Sequence, residues 1–290
     1  MDSEPGLKKL ENNSLKELTE ILMEDWPRSI PVIGKIKQIQ RSAGQMISLN
    51  MYVDSWPQPQ LVILENLTYK RNDKIKLAPL LVYARNSTTK QIKDKFDSIP
   101  LLRRCYEEGY SEFQDTEYRI LKILEDVSSK QGFQVQVMAC PFMYSICDKA
   151  KALSSEIPSG YRISRLEYHH ADFINANWKF GKSPHMLQRI KSWIQHSFSA
   201  GVFCSQTDDL VAWGLISEAG CISSLQTNES HRGKGLAKAI IAELVRQAEK
   251  EEMTPFVYIE EGNSISQSLF EKIGFKRCQD GQVLFCTIVP

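Results

Sequence analysis

The sequence predicts an α/β (α+β) protein built as two domains, and three observations carry that reading. The 290 residues are well beyond the commonest domain length of about 100–150. Segments of strand-like and helix-like periodicity alternate through both halves. Proline, glycine and serine cluster in SSEIPSGY, residues 154–161, between two periodic segments. The boundary is placed there, giving segments 1–154 and 155–290.

Each element follows from its local pattern. Helical spacing over Leu15–Met23 ends near Asp25-Trp26-Pro27. Segments 31–40, 46–53 and 61–67 read as strands of one sheet. The last two are joined through Trp56-Pro57 and Pro59, which cannot continue a helix. Residues 77–84 form another strand-like run. Residues 118–127 make a helix with an apolar stripe of Ile120, Leu121, Ile123 and Leu124, and 133–140 alternate as a strand. This order fits a layered α+β or α/β domain.

The second half begins with a strand at 161–166 and helices at 171–178 and 186–196. Strands 202–205 and 211–217 flank the turn Gln206-Thr207-Asp208-Asp209. A strand at 221–226 leads to a helix at 235–252, with Leu236, Ala239, Ile240, Leu244, Val245 and Ala248 on its core face. A buried-looking strand at 255–260, the helix Ser264–Ile273 stopped by Gly274, and a strand at 283–289 complete the chain. No low-complexity tract or near-exact repeat is visible.

Composition narrows the function classes. Hydrophobic residues make up 42% and charged residues 24%, an ordinary globular mix. A net charge of +1 argues against nucleic acid or an anionic membrane as partner. No apolar run is long enough to span a bilayer. The start, MDSEPGLKKLENNSLKEL, is acidic and polar where a secretory signal would be apolar, and lacks an Arg-rich transit character. Lys8 to Lys16 reads as a solvated helix face. The seven cysteines contain no CxxC pair, which suits reduced thiols and no zinc or other metal site. The expected compartment is intracellular, cytoplasmic or mitochondrial.

The segment with chemical content is a strand, then SHRGKGLA, then the long helix. Two glycines let backbone amides turn inward, and their N–H groups converge at a helix N-terminus carrying the positive end of the dipole. A phosphate or pyrophosphate is the ligand this suits, with Arg232 and Lys234 adding charge. The dipole contributes only about 0.3–1 kcal/mol, so specific amide hydrogen bonds carry most of the binding. The pattern is neither GxxxxGK[ST] nor the dinucleotide fingerprint. On this loop alone, a plain surface turn before a helix stays open.

About thirty residues on comes FVYIEEGNSISQSLFEKIGFKR: a strand, Asn263, a short helix, then Gly274-Phe275. The two segments together resemble the GNAT acyltransferase superfamily. Arg232, Gly235 and Ala237 match its RxxGxA pyrophosphate motif, and NxxSxxLFxKxGF resembles its second cofactor segment. The resemblance implies that Arg232, Gly233, Lys234, Gly235, Leu236 and Ala237 hold the pyrophosphate of acyl-CoA, with Asn263, Ser266 and Phe270 along the pantetheine. It also implies that backbone groups of Leu225 and Thr227 pair with that arm. VDSWPQPQLVI near Val53 and NANWKFGKSPHMLQRIKSWIQ over 175–195 resemble the glycine N-acyltransferase family through both halves. That implies two tandem GNAT-like folds of mixed, mostly antiparallel sheets flanked by helices. The first would be degenerate, since RxxGxA is absent there.

The implied reaction joins an acyl group from acyl-CoA to the amine of a small acceptor such as glycine, by direct attack and without a metal. The family's glycine-specific members carry a glutamate on the strand before the loop, and Cys221 stands at the matching position. Glu218 is the nearest upstream carboxylate; it is read as a solvated turn residue that could act through a water. Cys221 is read as a small buried strand residue, a base or nucleophile only with a depressed pKa. Phe270 replaces the tyrosine general acid of many superfamily members; thiolate, of pKa about 8.5, still leaves. Tyr258 is a weaker proton-handling candidate. His169 and His170 are expected to face apart at the surface, and His231 to flank the phosphate. Trp178, Phe180 and Trp193 are expected to be packing residues. An acyl-CoA binder without turnover and a protein N-acetyltransferase are the alternatives.

Overall fold

The order of elements along the chain repeats. A strand, two helices, three strands, a helix, a strand, a helix and a last strand occur once over residues 8–145 and again over 161–289. The computed structural model describes residues 6–67, 79–85, 89–99, 111–145 and 156–289. Residues 77 and 78 of one expected strand and 154 and 155 of the expected boundary lie outside them. The chain forms two compact units, one of residues 1–36, 47–142 and 278–290, the other of 37–46 and 143–277.

The first unit carries β1 (Lys8–Lys9), β2 (Leu49–Val53), β3 (Leu61–Asn66), β4 (Leu80–Ala84) and β5 (Ser111–Glu117) in that spatial order. Pairing is antiparallel from β1 to β4 and parallel between β4 and β5, at Leu80↔Phe113. The chain's last strand, β12 (Phe275–Val289), pairs antiparallel with β5 from Val283↔Glu117 to Ile288↔Ser111. Helices α1 (Leu15–Met23), α2 (Ile30–Ser42), α3 (Thr89–Ser98) and α4 (Tyr118–Lys130) accompany it. Ile120, Leu121, Ile123 and Leu124 of α4 pack with Ile92 and Phe96 of α3 on Ile63 and Val82. Strand β6 (Gln134–Ser145) follows α4.

One expectation fails here. Residues 31–40 are not a strand but the body of α2. Val32, Ile36 and Ile39 recur at helical spacing and are buried, as are Lys35 and Gln38. The β-branched residues and Gly34 suggest a strand. Pro31 is tolerated because it lies in the helix's first turn, where its missing N–H has no partner to lose. Lys35 is buried because it meets Asp115 of β5 in an ion pair, which offsets the desolvation of both charges.

The second unit carries β11 (Phe256–Tyr258), β10 (Ile222–Thr227), β9 (Leu210–Ile216), β8 (Ser199–Cys204) and β7 (Tyr161–Ser164) in that order. All neighbours are antiparallel except β10 and β11. Residues alternate across the strands and build two faces. Val211, Ala212 and Ile216 pack under α7 (Leu236–Lys250) and α8 (Ser264–Ile273). Leu210, Trp213 and Leu215 pack under α5 (His170–Asn177) and α6 (Pro184–His196). Gly214 brings α7 close: a Cβ there would lie 2.7 Å from Ile240 Cγ2. No described helix is long and apolar enough to cross a membrane.

Candidate active site

Strand β10 opens the site. It pairs with β9 at Ile222↔Ile216 and Ser223↔Leu215, then resumes at Gln226↔Trp213 after a bulge. Ser224 takes φ +52° there, a left-handed conformation that bends the bulged strand. On its other edge β10 pairs with β11 at Ile222↔Val257. From that pair β10 runs on to Thr227, whereas β11 ends at Tyr258. In the first unit β4 and β5 pair in the same way at Leu80↔Phe113.

The loop after β10 is what distinguishes the second repeat. Eight residues, 228–235, separate Thr227 from Leu236. Four, 85–88, separate Ala84 from Thr89 in the first repeat and include no glycine; Arg85 there is buried against Glu24 and Asp25. In the second repeat a single turn at Glu229–His231 precedes an extended Arg232. Gly233 and Gly235 then take φ +77° and +80°. That geometry, not crowding, calls for glycine, since nothing lies within 4 Å of a Cβ at either position. The open space is what a phosphate needs to approach the backbone.

Helix α7 begins at Leu236, with Gly235 as its N-cap, no capping side chain and no acidic residue in its first turn. Its first N–H groups thus lack an intrahelical acceptor. Arg232 Nη1 lies 3.2 Å from Glu229 Oε1 and Nε donates to Thr227 O. Lys234 Nζ donates to Tyr161 Oη at 2.9 Å, and that hydroxyl lies 2.9 Å from His231 Nδ1. Tyr161 sits about seventy residues upstream, on β7, so no local pattern announced it.

Asn263 Oδ1 accepts from Ser266 N at 3.1 Å and caps α8. Phe270 is buried in the core, its ring 4.9 Å from that of Phe275. Leu225 and Thr227 are half-buried on β10 and Tyr258 half-buried on β11. Leu225 and Thr227 lie at the end of β10, and Arg232, Gly233, Lys234, Gly235, Leu236 and Ala237 follow through the loop into α7.

At the other end of β10 the expectations need correction. Glu218 is not a solvated turn residue: it is 4% exposed. Its oxygens take Arg189 Nη2 and Trp193 Nε1, one turn apart on α6. The two donors replace the water that a turn position would otherwise supply. Cys221 is buried, with Sγ 3.1 Å from Ser217 Oγ. Gln38 Nε2 holds the same turn through Ser217 O at 3.0 Å. His169 and His170 do not face apart; their rings stand 3.9 Å from each other at the start of α5. Trp193 is core and Trp178 half-buried as expected, but Phe180 is 47% exposed.

Among the described residues no group of three or more His, Cys, Asp or Glu is arranged to hold a metal. Strand β10, a glycine loop and an uncapped helix start follow one another here. A Drosophila protein of known structure covers 99% of both chains with a TM-score of 0.74 at 16% identity. A tandem GNAT protein from the clavulanic acid biosynthesis pathway covers 97% of each at 0.56 and 12%. The model of the family described as FR47-like protein matches residues 199–283. Glycine N-acyltransferase of Bos taurus is 19% identical over 89% of this chain and 91% of its own. Glycine N-acyltransferase-like protein 2 of Homo sapiens is 22% identical over 93% and 94%. Over most of its length the chain is thus similar to glycine N-acyltransferase and to a glycine N-acyltransferase-like protein.

Proposed function

We propose that the chain is an acyl-CoA-dependent N-acyltransferase whose acceptor is a small amine, with an amino acid such as glycine the first choice. The observation that carries the reading is the loop after β10, where Gly233 and Gly235 take left-handed φ and open α7. Amides of residues 233–237 take the pyrophosphate, with Arg232 and Lys234 adding charge. The pantetheine lies along β10 as an added strand, against the backbone of Leu225 and Thr227. Asn263 and Ser266 flank it, and Phe270 backs it from the core. Segment 155–290 supplies this loop and strand, and 1–154 is the repeat without a cofactor loop.

In the reaction the amine nitrogen attacks the thioester carbon, a C–N bond forms and the C–S bond breaks. The electron pair leaves with sulfur, and the amine's proton is lost to solvent. A backbone N–H of β10 steadies the oxyanion. Glu218 and Cys221 stand at this end, but both Glu218 oxygens are already engaged. The neutral amine is therefore drawn from solution, where a free α-amine of pKa about 8 supplies it in part. Incubation with a panel of acyl-CoAs and amino acids, following thiol release, tests the reading. Turnover with at least one pair is expected; CoA binding with no turnover on any pair would sink it. That second outcome marks a CoA-binding protein without catalysis, the reading motivated by Cys221 and Phe270 standing where the resemblance would put a glutamate and a tyrosine.

A further inference from the structure

Three side chains gather beside the glycine loop, two from the loop and one from a strand 70 residues upstream of His231. Tyr161 opens β7, pairs with Cys204 of β8 and packs against the core that α7 covers. Its hydroxyl accepts from Lys234 Nζ at 2.9 Å and lies 2.9 Å from His231 Nδ1. The His231 ring stands edge-on to the Tyr161 ring at 5.7 Å, and Lys234 Nζ lies 5.5 Å from the centre of that ring. Tyr161 and His231 are half-buried, and Lys234 is exposed.

The chemistry of the donors fixes their roles. An ammonium only donates, so Lys234 gives one of its three hydrogens to the Tyr161 oxygen and keeps two. Either the hydroxyl hydrogen goes to His231 Nδ1, or Nδ1 donates to the hydroxyl; in both cases Nε2 carries a hydrogen. Those N–H groups of Lys234 and His231 are left to bind something else. So is the charge. Arg232 is paired with Glu229, and Arg162 with Asp208. Among the described residues no carboxylate pairs with Lys234 or His231, and a hydroxyl holds them instead. A cation steadied in that way keeps its charge for an incoming anion. The set suits a phosphate monoester, with three acceptor oxygens and a charge of about −1.5 to −2.

We propose that Tyr161, His231 and Lys234 form a second phosphate subsite, separate from the loop amides, and that its ligand is the phosphate monoester on the 3′ carbon of the CoA ribose. The inference rests on the acyl-CoA reading above and deepens it. The pyrophosphate takes the amides of residues 233–237, and CoA carries one further phosphate. Tyr161 is the positioning residue. Its hydroxyl draws the Lys234 ammonium toward β7 and orients the His231 ring, so that the chain distinguishes CoA from the same molecule without that phosphate.

Calorimetric titration of CoA and 3′-dephospho-CoA into the full chain and into Tyr161→Phe, which keeps the ring and loses the hydroxyl, tests it. The wild type is expected to bind CoA at least about tenfold more tightly than dephospho-CoA. Tyr161→Phe should lose at least about threefold of that preference, while its affinity for dephospho-CoA stays within about twofold. Lys234→Gln should lose most of the preference, and adding Tyr161→Phe to it should take little more, because the hydroxyl acts through the ammonium. Equal weakening of both ligands by Tyr161→Phe, a preference it keeps in full, or a wild type that binds the two alike overturns the subsite and leaves the acyl-CoA reading standing. A wild type that binds neither overturns that reading, and this inference with it. An unchanged urea midpoint checks the fold of Tyr161→Phe; His231→Ala carries the same expectation should that variant unfold.

Discussion

Glu218→Gln separates holding from proton transfer. The glutamate's oxygens receive N–H groups from Arg189 and Trp193, both donors, inside a 4% exposed site. Glutamine keeps one acceptor but turns its own amide N–H toward the second donor. Removing one member of a buried ion pair costs about 3–5 kcal/mol when the other is left without solvent. The Arg189 side chain keeps 22% exposure, so water takes up part of the loss and about 2–3 kcal/mol is expected. Arg189→Met added to Glu218→Gln should recover part of it, because the two residues act on one contact. Urea unfolding of the three variants measures this. Below the unfolding range, the kcat/KM of Glu218→Gln should fall by less than about tenfold, where loss of a general base costs about 10²–10⁴-fold. Its rise with pH should still follow the ionisation of the amine. Stability unchanged within about 0.5 kcal/mol together with a hundredfold or larger fall in kcat/KM would refute the reasoning and make Glu218 the base.

Other expectations concern the frame of the site. Gly214→Ala forces a methyl against Ile240 of α7 and should cost about 1–3 kcal/mol in urea unfolding; a neutral result would mean that the helix can shift freely. Asn263→Ala removes the cap of α8 and should cost about 1 kcal/mol, with Asn263→Ser largely restoring it; equal losses would show that the cap is not the reason. Burial, and the His169 ring beside it, hold the His170 imidazole below its ordinary 6.5. The folded chain then binds fewer protons than the unfolded one, so this contribution is present above about 6.5 and lost as pH falls toward the folded value. The urea midpoint of the wild type should therefore drop more on acidification through that window than that of His170→Gln, and equal drops would contradict the assignment.

The backbone of the glycine loop was legible because its parts are consecutive. Glycines that need positive φ, a helix start and flanking cations fall within six residues, and only glycine satisfies that backbone without strain. The helices α7 and α8 were legible for the same reason, since periodicity and a terminal Gly274 are local signals. Contacts between distant segments were not. Tyr161 meets His231 and Lys234 through the pairing of β7 at the edge of its sheet. Arg189 and Trp193 reach Glu218 only once α6 lies across β9. A lone glutamate after a strand reads as a turn residue until its partners fold onto it. Helix α2 misled for a different reason: its β-branched residues and Gly34 suggest a strand, and the burial of Lys35 and Gln38 comes from tertiary partners, Asp115 and Ser197.

The central claim is that the loop from Arg232 to Ala237 holds the pyrophosphate of CoA. Titrating CoA into the wild type and into Gly235→Val tests it most directly. Valine at φ +80° destabilises the left-handed cap by about 1–2 kcal/mol and fills the space the phosphate needs. The account predicts one CoA per chain for the wild type and, for a variant that still unfolds cooperatively, no measurable binding. Undiminished binding by Gly235→Val, or none by the wild type, would contradict it.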